Sequence, residues 1–132
     1  PDNVDDDVDL VYRLPYLLQR DSVLFCIQLE GDMEAMQSRN LPFNAGAAVA
    51  YGLTNEQALA AISYNVAKII GIDSLLGTIE EGKLASLVVS DGDLLDMKTN
   101  NVILAYIAGK PVTLTNRQTE LYTKYKNKYG IK

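Results

Sequence analysis

A chain of 132 residues is long enough for one domain with its own core, and too short for an eight-fold β/α barrel, which takes about 250. Hydrophobic residues at 48% and charged residues at 22% give a globular composition, and a net charge of −5 argues against a nucleic-acid partner, which needs clustered Lys and Arg. The chain has no histidine, its single cysteine excludes an internal disulfide, and no apolar run approaches the roughly 18 residues of a membrane span.

In chain order, residues 1–9 carry Asp2, Asp5, Asp6, Asp7 and Asp9 and show no periodicity, as an acidic loop would. Leu10, Leu14, Leu17 and Leu18 follow at helical spacing, and Pro15 is expected to open a short helix as its first residue. Residues 23–29, "VLFCIQL", form a near-continuous apolar run with a β-branched and aromatic bias. They predict a strand buried on both faces, as in a parallel sheet, with Cys26 as a small buried hydrophobe. Glu30, Gly31 and Asp32 end it.

Residues 40–51 predict a helix whose Ala45, Ala47, Ala48, Val49 and Ala50 offer a smooth surface for close packing, capped by Gly52. Thr54 opens the next helix, and Gln57 three residues on completes a capping box. Ala58, Leu59, Ala61 and Ile62 supply its buried stripe. Asn65 is expected to interrupt it and bond backbone at the break. A last helical turn covers residues 66–70, and Gly71 stops it.

Beyond Gly71 the period turns alternating. A short strand is expected around Thr78 and Ile79, a turn at Glu81 and Gly82, and a strand over residues 84–89. A hairpin follows: residues 102–107, a turn at Ala108, Gly109 and Lys110, then residues 112–114. Residues 117–129 predict a helix with Leu121 and Tyr125 on one face and Tyr122 and Tyr129 close by. The tail is basic, with Arg117, Lys124, Lys126, Lys128 and Lys132 against Glu120 alone. The acidic start and the basic tail both read as solvated ends.

Chemistry concentrates at Asp32. A strand that delivers an Asp to its carboxyl end and passes into a helix is how a barrel enzyme places a catalytic group, but Gly-Asp is also common turn chemistry. Glu30 and Glu34 read as a charged rim around this loop. Arg39 and Asn40 read as the start of the next helix, with Arg39 pairing an acidic neighbour.

The order of these elements resembles the carboxyl-terminal part of the amidohydrolase superfamily, nearest its imidazolonepropionase-like and dihydroorotase-like branches. Asn65, Ala67, Lys68 and Gly71 match that family's "T-x-N-x-A-K-x-L-G". Gly77, Ile79, Glu80, Gly82, Lys83, Ala85, Leu87, Val88 and Val89 match "G-S-I-E-x-G-K-x-A-D-L-V-V". Asp91, Gly92 and Asp93 approximate "D-x-x-P", and "NNVILAYIAGKPV" resembles the last hairpin. Ser86 stands where the family has Asp, and Leu94 where it has Pro.

The resemblance implies an α/β fold: the last β/α units of a TIM-type barrel, then part of a small β-sandwich domain and a terminal helix. Its implied bounds are residues 1–72, 73–116 and 117–132. Residues 25–31 would be the eighth barrel strand and Asp32 its terminal Asp, a metal ligand and the base for the attacking water. A divalent metal, zinc foremost, is implied for the complete enzyme and none for this chain alone, because the family's histidine ligands are absent. The implied partner is the remaining amino-terminal part of the barrel, without nucleic acid or membrane. The chain begins at Pro1 and is expected to be a piece of something longer, poorly stable as a monomer and associating through exposed edges. Tyr122, Tyr125 and Tyr129 are expected to pack on the barrel. Three functions follow: the tail of a C–N hydrolase that is inactive alone, a degenerate relative with a scaffolding role, or an independent binding module.

Overall fold

The computed structural model describes residues 7–31 and 34–130, with backbone only at 34 and 35. Helix α1 spans Leu10–Arg20 and α2 is a single turn, Glu34–Gln37. A 3-10 turn at Ser38–Asn40 leads into α3, Leu41–Ala50; α4 is Asn55–Ala61 and α5 is Tyr64–Ile69. Strands β1 (Leu87–Ser90), β2 (Val102–Ile107) and β3 (Lys110–Pro111) follow, and α6 closes the order at Arg117–Tyr129.

Local hydrogen bonding explains most helix boundaries. The Thr54 hydroxyl accepts from the Gln57 amide at 3.2 Å while the Gln57 side chain accepts from the Thr54 amide at 2.9 Å, the expected capping box. Helix α3 ends in a Schellman motif: the Gly52 amide donates to the Val49 carbonyl and the Leu53 amide to that of Ala48. Helix α5 ends likewise, through Gly71 to Lys68 and Ile72 to Ala67. Helix α1 uses the same motif with Ser22 in the glycine place, at φ 58°.

Helix α1 starts at Leu10 and runs through Pro15 rather than from it. The missing proline amide costs one bond to the turn before it. Packing on α3 offsets that: Tyr12 stacks on Tyr51 at 5.3 Å, and Tyr16 fills the space beside Gly52, where a Cβ would lie 2.8 Å from its ring. Asn65 sits inside α5 instead of breaking a helix; the break falls at Ile62 and Ser63.

The core is thin. Ala45, Ala48, Leu53, Ala58 and Leu95 form its buried cluster, with Phe25, Ile27, Val49 and Ile62 packed against it. Small residues let backbones approach: a Cβ on Gly46 would collide with the Leu95 carbonyl oxygen, so the loop carrying Leu95 rests on α3 itself. Asp93 fixes that loop, accepting from the Leu95 amide at 2.9 Å and from the Asn55 side chain at 2.8 Å.

The sheet is antiparallel in the order β1-β2-β3, pairing Leu87 with Tyr106 and Val89 with Leu104 before a bulge at Val89 and Ser90. The β2–β3 turn is Ala108-Gly109, both at positive φ, as a two-residue hairpin requires.

Four expected strands are revised. Residues 23–29 are extended but join no sheet, because no other strand among the described residues lies beside them. Thr78 and Ile79 form no strand; Lys83 bonds the Thr78 hydroxyl, and Ile79 is 86% exposed. The strand expected over 84–89 is β1, shorter and later. The hairpin's return strand is Lys110–Pro111, and the Val112 amide adds one bond to the Ala105 carbonyl. Pro111 has no amide to give, which suits an edge.

Candidate functional site

The extended segment of residues 23–30 is the element around which a site can be built. Among described residues its backbone is gripped at three points. The Val23 amide donates to the Leu18 carbonyl at 2.9 Å, the Asn65 side-chain amide to the Phe25 carbonyl at 2.9 Å, and the Ile27 amide to the Ala61 carbonyl at 3.0 Å. Backbone groups alternate sides along an extended chain, so the odd-numbered edge is held, by α1 at Val23 and by the α4–α5 corner at Phe25 and Ile27. Leu24, Cys26 and Gln28 on the other edge make no backbone hydrogen bond to a described residue.

Open grooves flank the segment. One, of about 470 Å³, runs between the segment, α1 and α3 and includes Tyr12, Gln28 and Ala47. The other, of about 450 Å³, lies toward α5 and includes Leu29, Leu41, Val66 and Ile69. Phe25, Cys26, Ile27 and Leu29 are half-buried, while Val23 and Leu24 are each 48% exposed. The expected burial on both faces is therefore not achieved among the described residues.

Asp32, the residue expected to act as base and metal ligand, lies outside the described residues, and so does the side chain of Glu34. Glu30 is exposed at the end of the segment, followed by exposed Gly31 at φ 131°. Arg39 is exposed and has no acidic partner among described residues; Asn40 precedes α3 without a side-chain cap bond. The chain has no histidine, and among described residues no three Cys, Asp or Glu converge where a metal ion would fit. A catalytic zinc site takes three protein ligands, so the described residues do not make one.

Displaced protonation equilibria lie elsewhere. The Lys98 backbone amide and then the Thr99 hydroxyl hold the Asp96 carboxyl below its ordinary range. Glu80 is lowered by the Thr78 hydroxyl and by Lys83, and Asp21 by its hydrogen bond from Arg20. All three carboxylates are exposed turn or cap groups. Sequence reasoning expected Asn65 to bond backbone but gave no partner, and it missed the Ala61 carbonyl; the signal was the adjacency of an apolar segment and a helix break.

Comparison with known proteins matches residues 23–112 to the model of the amidohydrolase family. An adenine deaminase from Desulforamulus reducens is 30% identical over 81 residues, covering 61% of this chain and 14% of that protein. An amidohydrolase from Thermotoga maritima MSB8 superposes with a TM-score of 0.67 at 35% identity, covering 77% of this chain and 26% of that one. An adenosine deaminase from Xanthomonas campestris, solved with bound zinc, shares the fold at a TM-score of 0.57 and 23% identity, over 89% of this chain and 33% of its own. The chain thus spans about a third or less of each relative, and the match begins at Val23, where the extended segment begins. This chain belongs to the amidohydrolase family.

Proposed function

We propose that this chain is the carboxyl-terminal portion of a metal-dependent amidohydrolase that hydrolyses a C–N bond. Residues 1–72 would end the barrel, 73–116 form part of the small β-domain, and 117–132 the terminal helix. The unpaired extended segment at residues 23–30 carries the reading. It starts the family match, has one edge without backbone partners among described residues, and leads to Asp32. A strand of a closed barrel requires neighbours on both edges, and the grooves beside this one supply the room.

On this reading Asp32 accepts the proton of the attacking water, and the α4–α5 corner fixes the height of the strand that presents it. The metal centre would need histidine-bearing strands from elsewhere, with zinc as the first ion to try, so the chain alone is expected to be inactive. The adenine deaminase relative makes the exocyclic amine of adenine the first C–N bond to assay.

A chimera tests this. Residues 23–112 of this chain replace the matching segment of the Xanthomonas adenosine deaminase, which was solved with zinc, and bound zinc and turnover are measured. Expected are retained zinc and activity, with Asp32→Asn lowering turnover by roughly 100-fold or more at unchanged folding. Full activity in Asp32→Asn removes the assignment. A folded chimera without zinc or turnover favours the non-catalytic relative.

A further inference from the structure

Among described residues α6 has no extensive packing on another helix or strand and buries none of its side chains. Its ends are nonetheless fully made: the Asn116 side chain accepts from the Thr119 amide at 2.9 Å, and Gly130 closes the other end at φ 62°. A helix this short is marginal in water without a packed face. At about 100° per residue Leu121, Tyr122, Tyr125 and Tyr129 share one face, with Lys126 on one flank and Lys124 and Lys128 on the other. Tyr125 stacks on Tyr129 at 6.2 Å, while Lys126 and Lys128 lie over Tyr122 and Tyr129 at 5.9 and 5.3 Å. The face is therefore preformed.

Charge selects what covers it. Residues 117–132 hold five basic groups and one acidic, leaving seven basic against sixteen acidic in the rest of the chain. The basic tail is drawn to an acidic surface, and the body of a second copy supplies one. Helix α1 is the complementary element. Tyr12 and Tyr16 face α3, so Leu10 and Leu14 point away from it, both exposed, below a start marked by exposed Asp7 and Asp9. Asp7 pairs with Arg13, and residues 1–6 add three further Asp. The two helices are 11 and 13 residues long, roughly 16 and 20 Å.

We infer that α6 docks antiparallel on α1 of a second copy of this chain, Leu121 and the tyrosines covering Leu10 and Leu14. Lys126 and Lys128 then lie beside Asp7 and Asp9, and the two helix dipoles run antiparallel. Two such contacts related by a two-fold axis close a dimer. The inference goes beyond the proposed function and does not rest on it.

Sedimentation equilibrium of the intact chain at low and high salt tests it. Expected are a reversible dimer that salt weakens, and a Lys124→Glu/Lys126→Glu/Lys128→Glu variant whose association falls roughly 10- to 100-fold, since each exposed pair contributes a few-fold and reversal adds repulsion. Mixing that variant with Asp7→Lys/Asp9→Lys should restore a heterodimer, a result that misfolding of either cannot give. Circular dichroism checks the helices, and Tyr122→Ala/Tyr125→Ala should weaken the dimer without altering its salt slope. A monomer at every concentration, or a dimer indifferent to salt and to the reversed lysines, overturns the inference.

Discussion

Gly46→Ala sets helix propensity against packing, and the structure decides the sign. Gly46 lies inside α3, where Ala is preferred by about 1 kcal/mol, so propensity alone predicts stabilisation. The added Cβ, however, would collide with the Leu95 carbonyl oxygen and sit 3.2 and 3.4 Å from the Leu95 carbonyl carbon and Cβ. The obstacle is backbone, so no rotamer change relieves it. Overpacking of this kind costs about 1–3 kcal/mol. The escape is for the loop to lift away, which forfeits burial of Leu95, now 5% exposed, at about 1.5–3 kcal/mol. It also strains the Asn55–Asp93 bond, worth about 1 kcal/mol. Subtracting the propensity gain of about 1 kcal/mol leaves a net loss of up to about 2 kcal/mol by the cheaper, overpacked route, a fall in melting temperature of up to roughly 10 °C for a chain of this size. Urea unfolding followed by circular dichroism measures it, with Ala47→Gly, on the exposed side of the same helix, as the reverse control. If Gly46→Ala raises the urea midpoint, the close approach of Leu95 to α3 is wrong.

Three further outcomes follow from local geometry. Asn65→Ala leaves the Phe25 carbonyl without its donor and should cost about 1–3 kcal/mol, with faster amide exchange at Ile27; unchanged exchange there would mean the corner does not hold the segment. Ser22→Gly relieves a left-handed residue and should stabilise by about 1 kcal/mol, read as a higher urea midpoint; a lower one would contradict the Schellman geometry. The Asp96 carboxyl is held below its ordinary range, so its contribution is complete above the unfolded value of about 3.9 and is lost as pH falls through the lower folded value. The stability gap between the chain and Asp96→Ala should therefore narrow from pH 4 downward, and a gap that widens would refute the turn assigned to Asp96.

Much of the helical part was legible because its determinants lie within a few residues of each other. Thr54 and Gln57, Gly52, Gly71 and residues 117–129 each state a boundary through bonds closed inside one turn, and each appears where that chemistry puts it. The family was legible for a related reason: glycines and polar residues at fixed spacing mark turns that the fold cannot relocate. Tertiary structure decided whatever depends on a distant partner. Residues 23–29 have the composition of a buried strand, but a strand exists through a neighbour's hydrogen bonds, and among described residues only Leu18, Asn65 and Ala61, none of them in a strand, supply any. Thr78 and Ile79 alternate like a strand yet close into a turn around Lys83. Pro15 looked like a helix start because the spacing could not reveal that Tyr12 and Tyr16 would find Tyr51 and Gly52. The sequence by itself thus determined where the chain turns and caps, since those bonds are local; only the tertiary structure decided which apolar segments found cover, since that depends on surfaces far apart along the chain.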